Sequence, residues 1–181
     1  MKFEDAEVVF ATALDSLDQP LQDLCTAVVM DLNFREGYGA RKHHHNFKGG
    51  LFIHTAEVVE NCMAAEVQAV NMQVLITAAI WHDYMKILEY EADEKGEVQY
   101  TEIKRKIGHI AGSFAEFAAS ATAAGVDAKT IREVSHCILS HHGRPEWGSA
   151  ITPQTPEALT LHWADCMSAW FENGTYKEKE A

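Results

Sequence analysis

No apolar run in this sequence approaches the length needed to cross a bilayer, so a helical membrane anchor is not expected. The opening residues MKFEDAEVVF alternate charge and lack the basic-then-apolar order of a secretion signal. Cysteine never occurs as CxxC. Cys25, Cys62, Cys137 and Cys166 are widely spaced in helical apolar patterns and read as buried core thiols in a reducing compartment. Basic residues are scarce, 15 against 27 acidic, and the formal net charge of -12 repels long polyphosphate chains and leaves no electrostatic footprint for a duplex. Any nucleic-acid substrate is then expected to be short or held locally. Internal repeats and low-complexity segments are missing as well. At 181 residues and 47% hydrophobic, the chain has enough material for one sizeable core, and one cytoplasmic domain is expected.

What is present is a row of amphipathic helices. Residues 4–18 and 20–33 read as two, split at Pro20, which suits a first helical turn. A loop rich in Gly, Arg and His spans 35–50, followed by a helix through LFIHTAEVVENCMAAEVQAV and another from about Met72 to Leu88. YEADEKGEVQYTE has two short runs around Lys95-Gly96 and reads as a small hairpin or loop near residues 89–101. Further helices are expected over about His109–Ala124, stopped by Gly125, and from the cap Asp127 to His142. The last begins at Thr155-Pro156-Glu157 and runs to about Asn173, and the tail is expected to fray. The expected fold is all-α, a bundle of about seven helices.

Ten histidines are many for this length, and His54, His82, His109, His141 and His142 fall on or at the ends of four different helices. Asp83 and Asp165 lie on helices rich in apolar residues. A carboxylate on a buried face is costly unless something compensates its charge, and a divalent cation does so directly. Taken singly, each residue has a plainer role. The His82-Asp83 pair suits a hydrogen-bonded core, His109 a helix cap, and His141-His142 a helix C-terminus. One metal site accounts for all of them together.

The order His54, His82-Asp83, Asp165 resembles the H...HD...D signature of the HD-domain superfamily, all-helical metal-dependent phosphohydrolases. The stretches HHNFKGGLFIHT (44–55), HDYMK (82–86), IGHI (107–110), LSHHGRPEWGS (139–149) and TPEALTLHWAD (155–165) are similar to the HD domain of YhaM-type 3'→5' exoribonucleases. The resemblance implies an HD core over 40–173, a helical N-terminal extension over 1–39 and a tail over 174–181. That family carries an OB-type nucleic-acid-binding domain ahead of its HD domain, and the forty or so helical residues before the motif here are expected to leave no room for one.

The resemblance further implies one cation held by His54, His82, Asp83 and Asp165, and a second held by Asp83 as a bridge with His109 and His141. His142 is a ligand or a substrate contact. The chemistry implied is phosphoester hydrolysis by a metal-bridging hydroxide, with Asp83 and Lys86 in the catalytic group. Imidazole-rich ligation favours manganese first and iron second, with nickel, cobalt or zinc compatible. Lys86, four residues after His82, is expected on the same helix face and against a phosphate oxygen. His44, His45, Arg144 and Trp147 are the remaining candidate substrate contacts, although loop residues of these types are commonly just solvated. Trp81, Trp163 and Trp170, with Trp147, either line a base-sized pocket by stacking or, as is commoner at helical spacing, belong to the core. Glu57, three residues beyond His54, either approaches the cluster or, as the plainer role, is a surface acid, and His162 either packs or orients Asp165.

The expected partner is a nucleotide or short single-stranded oligonucleotide, with no duplex and no membrane, and a homo-oligomer is compatible with the sequence. Two other functions fit the residues less well. A two-iron oxygenase cleaving a C-C or C-P bond shares the ligand order, but Lys86 argues against it. A catalytically silent binding module would not need so complete a ligand set.

Overall fold

The computed structural model describes residues 1–41, 44–172 and 175–176. His43 and most of the tail over 174–181 therefore lie outside the described residues. Two helices form the middle of the bundle, α4 (Gly50–Ala64) and α5 (Met72–Trp81). In α5 every residue from Val74 to Trp81 is buried, and in α4 burial covers Leu51–Ala56 and then Val58, Val59 and Cys62. Helices apolar on all sides in this way are stable only when neighbours cover every face. Those neighbours are α1 (Phe3–Asp15) and α9 (Pro156–Trp170) on α4, and α2 (Leu21–Met30), α8 (Ala128–Ser140) and α9 on α5. Helix α7 (His109–Ala123) packs on α8.

The N-terminal helices are part of this core. Phe3, Phe10 and Phe34 gather around Phe52 of α4, with ring centroids 4.6, 4.8 and 6.0 Å from it. Burying each fully enclosed phenylalanine contributes about 1.5–3 kcal/mol. This pins α1 and the short α3 (Leu32–Glu36) against the helix that carries His54.

Local signals set most boundaries. The Asp127 side chain accepts from the amides of Lys129 and Thr130 at the start of α8, and Thr155 Oγ1 accepts from the Ala158 amide at the start of α9. The hairpin is β1 (Tyr90–Ala92) against β2 (Val98–Tyr100), in antiparallel register with Tyr90 opposite Tyr100. A second pairing joins β3 (Phe171–Glu172), where the last helix was expected to continue, to β4 (Thr175–Tyr176), in the tail expected to fray.

The expected helix over 72–88 is corrected. It ends at Trp81, and a 3-10 turn, Tyr84–Leu88, follows. The expected first two helices are likewise three. Pro20 precedes α2 rather than opening it, and the chain breaks again at Asp31, whose side chain caps α3 through the Asn33 amide. With α3 and α6 (Glu102–Lys106), the described residues contain nine α-helices rather than about seven. Both additions are five-residue segments, too short for periodicity to reveal. Three cysteines are buried as expected, while Cys166 is only partly so. Among the described residues no helix is long and apolar enough to cross a membrane.

Candidate metal centre

Five elements deliver side chains to one point in the bundle. His54 comes from α4, His82 and Asp83 from the end of α5, His109 from the start of α7, His141 and His142 from the end of α8, and Asp165 from α9. Asp83 lies at the middle, and its two oxygens face different partners. Oδ2 is 3.4 Å from His54 Nε2 and 3.3 Å from His82 Nε2. Oδ1 is 3.2 Å from His109 Nε2 and 3.6 Å from His141 Nε2. Asp165 Oδ1 closes the first half of the cluster at 3.2 Å from His54 Nε2.

The far side of each ring is occupied. His82 Nδ1 lies 2.8 Å from the Ala79 carbonyl and His141 Nδ1 lies 2.7 Å from the Ile138 carbonyl. A carbonyl only accepts, so these nitrogens carry the protons and leave Nε2 as a lone pair toward Asp83. His109 Nδ1 donates to Glu89 Oε1 at 3.1 Å, and the His109 backbone amide donates to the same oxygen. Glu89 is fully buried and also paired with Lys104 at 2.8 Å. Ser168 donates its hydroxyl to Glu57 at 2.7 Å, which leaves Oγ to accept from His54 Nδ1 at 2.9 Å. The inward nitrogens of His54, His82, His109 and His141, together with Asp83 Oδ1, are buried without any hydrogen-bond partner.

Unsatisfied buried polar atoms each cost on the order of 1–3 kcal/mol, and five pointing at one spot need a common cause. A cation supplies it. Overlapping sets of possible ligand atoms within 4.8 Å of one another are His54, His82 and Asp165; His82, Asp83 and His141; and His109, His141 and His142. Burial raises the Asp83 pKa, but Lys86, His82 and His109 outweigh it and hold the carboxyl well below its usual value. Burial alone would lower the His54 pKa, yet Asp165 and Asp83 raise it to about 9. Burial and the neighbouring imidazoles lower His141 strongly, and burial and His109 take His142 to about 4.

His82, Asp83 and His141 are sealed from solvent, whereas the Asp165 side chain is 16% exposed and that of Lys86 11%. The centre therefore opens on the side of these two residues. Lys86 is three residues from its partner, not on a helix face with His82. The 3-10 turn brings its Nζ to 2.5 Å from Asp83 Oδ2 and 3.0 Å from the Gly39 carbonyl. Asp83 raises the Lys86 pKa against the effect of burial.

The His44 and His45 rings lie 5.8 and 5.2 Å from that of His54, and the three form a further possible ligand set. Burial, then His54, lowers the His44 pKa to about 3. A Cβ on Gly50 would collide with the His45 carbonyl, so glycine there lets the loop fold this tightly over α4. Arg144 and Trp147 stand apart from the cluster. The guanidinium lies 5.1 Å from the Trp147 ring centre, and Trp147 stacks on His162 at 6.0 Å.

Two expectations change here. Glu57 is not a plain surface acid, because it bonds both His45 Nε2 and Ser168. His162 does not orient Asp165; its Nδ1 donates to the His141 carbonyl at 2.7 Å. Glu89 and Ser168 escaped the sequence reading altogether. Ser168 follows Asp165 by three residues and Glu89 follows Asp83 by six, and neither spacing signals contact with a histidine elsewhere in the chain.

Comparison with known proteins agrees with this geometry. The HD domain family matches residues 51–170. The chain is similar to the 3'-5' exoribonuclease YhaM of Bacillus licheniformis, 33% identical over 132 residues, or 72% of this chain and 41% of that protein. The YhaM protein of a Geobacillus species is also 33% identical over 132 residues, 72% of this chain and 40% of its own. That of Listeria monocytogenes serotype 4b is 32% identical over 139 residues, 76% of this chain and 44% of its own. The chain thus spans less than half the length of these curated relatives. No solved structure gives a significant match. The chain belongs to the HD-domain family.

Proposed function

We propose that the chain hydrolyses phosphoester bonds of a nucleotide or short single-stranded oligonucleotide at a centre of two divalent metal ions. The observation that carries this reading is the division of Asp83, with one oxygen toward His54 and His82 and the other toward His109 and His141. His54, His82, Asp83 and Asp165 would hold one ion, and Asp83, His109 and His141 the other, with His142 as an additional ligand on that side. The imidazole-rich donor set favours manganese or iron over magnesium. When bound, such ions would acidify a water to serve as nucleophile and neutralise charge on phosphoryl oxygens.

The protein's own residues do the rest. Lys86 keeps an ammonium at the open side of the centre, where it meets a non-bridging phosphate oxygen as a point charge. Its bond to Gly39 fixes that position before substrate arrives, which spares the ordering cost on binding. His44, beside His54 and near Lys86, offers an imidazole to the leaving oxygen, while His45 is held by Glu57 and packs on His54. Arg144 and Trp147, exposed beyond His162, suit a base or phosphate farther along a strand. The exoribonucleases among the relatives support a strand as substrate, and the net charge of -12 supports a short one.

The test is product analysis over phosphomonoesters, phosphodiesters, nucleoside triphosphates and short RNA and DNA strands, with manganese and iron supplied separately. Metal-dependent release of nucleoside monophosphate or phosphate is expected, reduced at least ~1,000-fold in Asp83→Ala by analogy with the loss of other electrostatic catalytic groups. A metal-loaded protein inert over the whole panel, or an Asp83→Ala variant as active as the parent, would refute the proposal.

A further inference from the structure

The loop that brings His44 and His45 to His54 contributes other residues to a separate cleft. This cleft, of about 560 Å³, lies between the loop and the β1–β2 hairpin, and its walls include Tyr38, Arg41 and Phe47 from the loop and Glu97, Val98 and Gln99 from the hairpin. The chain links it to the metal centre, since Gly39, whose carbonyl receives Lys86 Nζ, lies between the cleft residues Tyr38 and Arg41. Its volume is within the usual range for small-molecule sites.

Arg41 is positioned without being neutralised. Its Nε donates to the Val98 carbonyl at 3.3 Å and its guanidinium lies 4.9 Å from the Tyr100 ring centre. Among the described residues no carboxylate lies within ion-pairing distance of it, although acidic residues outnumber basic ones by 27 to 15 in the chain. Phe47 is 50% exposed at the same cleft. The Gln99 amide is steadied by its bond to Asp93 at 3.1 Å, which leaves its oxygen as an acceptor. A bare anion would have no use for the aromatic wall and would be repelled by Glu97. An apolar ligand would have no use for Arg41. A nucleobase with an attached phosphate uses every one of these groups: a planar face for Phe47 or Tyr38, an amino edge for Glu97 and Gln99, and an anion for Arg41.

We propose that this cleft binds a nucleoside of the substrate strand next to the scissile phosphate, so that recognition of the base is separated from the metal chemistry. The proposal rests on the phosphoester reading above, and its test keeps the two apart. Phe47→Ala and Arg41→Gln are compared with the parent protein on a tetranucleotide and on bis(p-nitrophenyl) phosphate, which has no nucleoside. Each variant is expected to raise KM for the tetranucleotide about tenfold with little change in kcat. Turnover of bis(p-nitrophenyl) phosphate should stay as in the parent. Fluorescence anisotropy of a labelled tetranucleotide in EDTA, where nothing is cleaved, should show the same weakening. Unchanged KM and affinity in both variants would overturn the proposal, as would equal loss on both substrates. If the parent binds the tetranucleotide but hydrolyses neither compound, the catalytic reading fails, and the anisotropy comparison alone decides the cleft.

Discussion

Ser168 accepts a hydrogen bond from His54 and donates one to Glu57, and so fixes the direction of a chain of donors running from His54 through Ser168 to Glu57. Partners of this kind hold a ligand's ring orientation and raise its basicity. In Ser168→Ala the His54 ring loses that partner while the bundle keeps its packing. Metal affinity, measured by competition with a chromophoric chelator, is expected to fall about 10- to 100-fold. An unchanged affinity would show that Ser168 only fills space. The same scale explains what the sequence concealed. Ser168 and His54 are 114 positions apart and Glu89 and His109 are 20 apart, and ordinary Ser and Glu side chains carry no mark of such a tertiary partnership. The convergence of the histidines and aspartates was legible because acids interleaved with imidazoles on apolar helices are too costly to bury without a cation among them. Burial also makes a prediction for the thiols. It pushes Cys25 and Cys137 from the ordinary 9.0 up to about 12. The unfolded chain releases these protons near pH 9 and the fold retains them, so stability should decline as pH rises from about 9 toward 12. Below pH 9 this loss should be absent. Denaturant midpoints across pH 8–11 check the sign. At pH 8, Cys166 is the thiol expected to react first with a colorimetric disulfide reagent, with the other three following only on unfolding.

At the scale of elements, capping chemistry was readable and helix breaks in apolar stretches were not. Asp127 and Thr155 mark their helices in sequence as they do in the fold. By contrast, IWHDYMKIL continues an apolar pattern across the point where α5 gives way to a 3-10 turn. Asp83 and Lys86, three residues apart, meet within this turn. A tighter turn eclipses positions i and i+3, whereas the regular helix would have directed Lys86 along the face of His82. The end of α8 depends on a comparable local feature. Gly143 follows the His141-His142 pair with φ +84, and a Cβ there would come within 2.5 Å of the His162 ring. His162 in turn bonds the His141 carbonyl. Gly143→Ala is therefore expected to cost about 1–3 kcal/mol in urea unfolding and to weaken metal binding by displacing His141. A variant with the parent's stability and metal content would show that neither the strain nor the contact matters.

For the whole molecule, the central physical fact is the placement of ligands from five elements around one carboxylate in the interior. Each element contributes one or two groups, so the centre exists only when the bundle is assembled, and a bound cation should stabilise the fold in proportion to its affinity. The N-terminal helices share in this. Their phenylalanines lock α4, and with it His54, against the rest of the core, which is why the expected extension over 1–39 is integral to the packing. The net charge of -12 is expected to favour a small or locally held anionic substrate, and Lys86 is the cation held beside Asp83 at the open side of the centre. The most direct measurement is metal content per chain, by elemental analysis after reconstitution with manganese or iron and removal of excess, for the parent protein and for Asp83→Asn. Two ions per chain in the parent and fewer than one in the folded variant are predicted. A parent that retains no metal, or an Asp83→Asn variant that retains as much as the parent, would contradict the account.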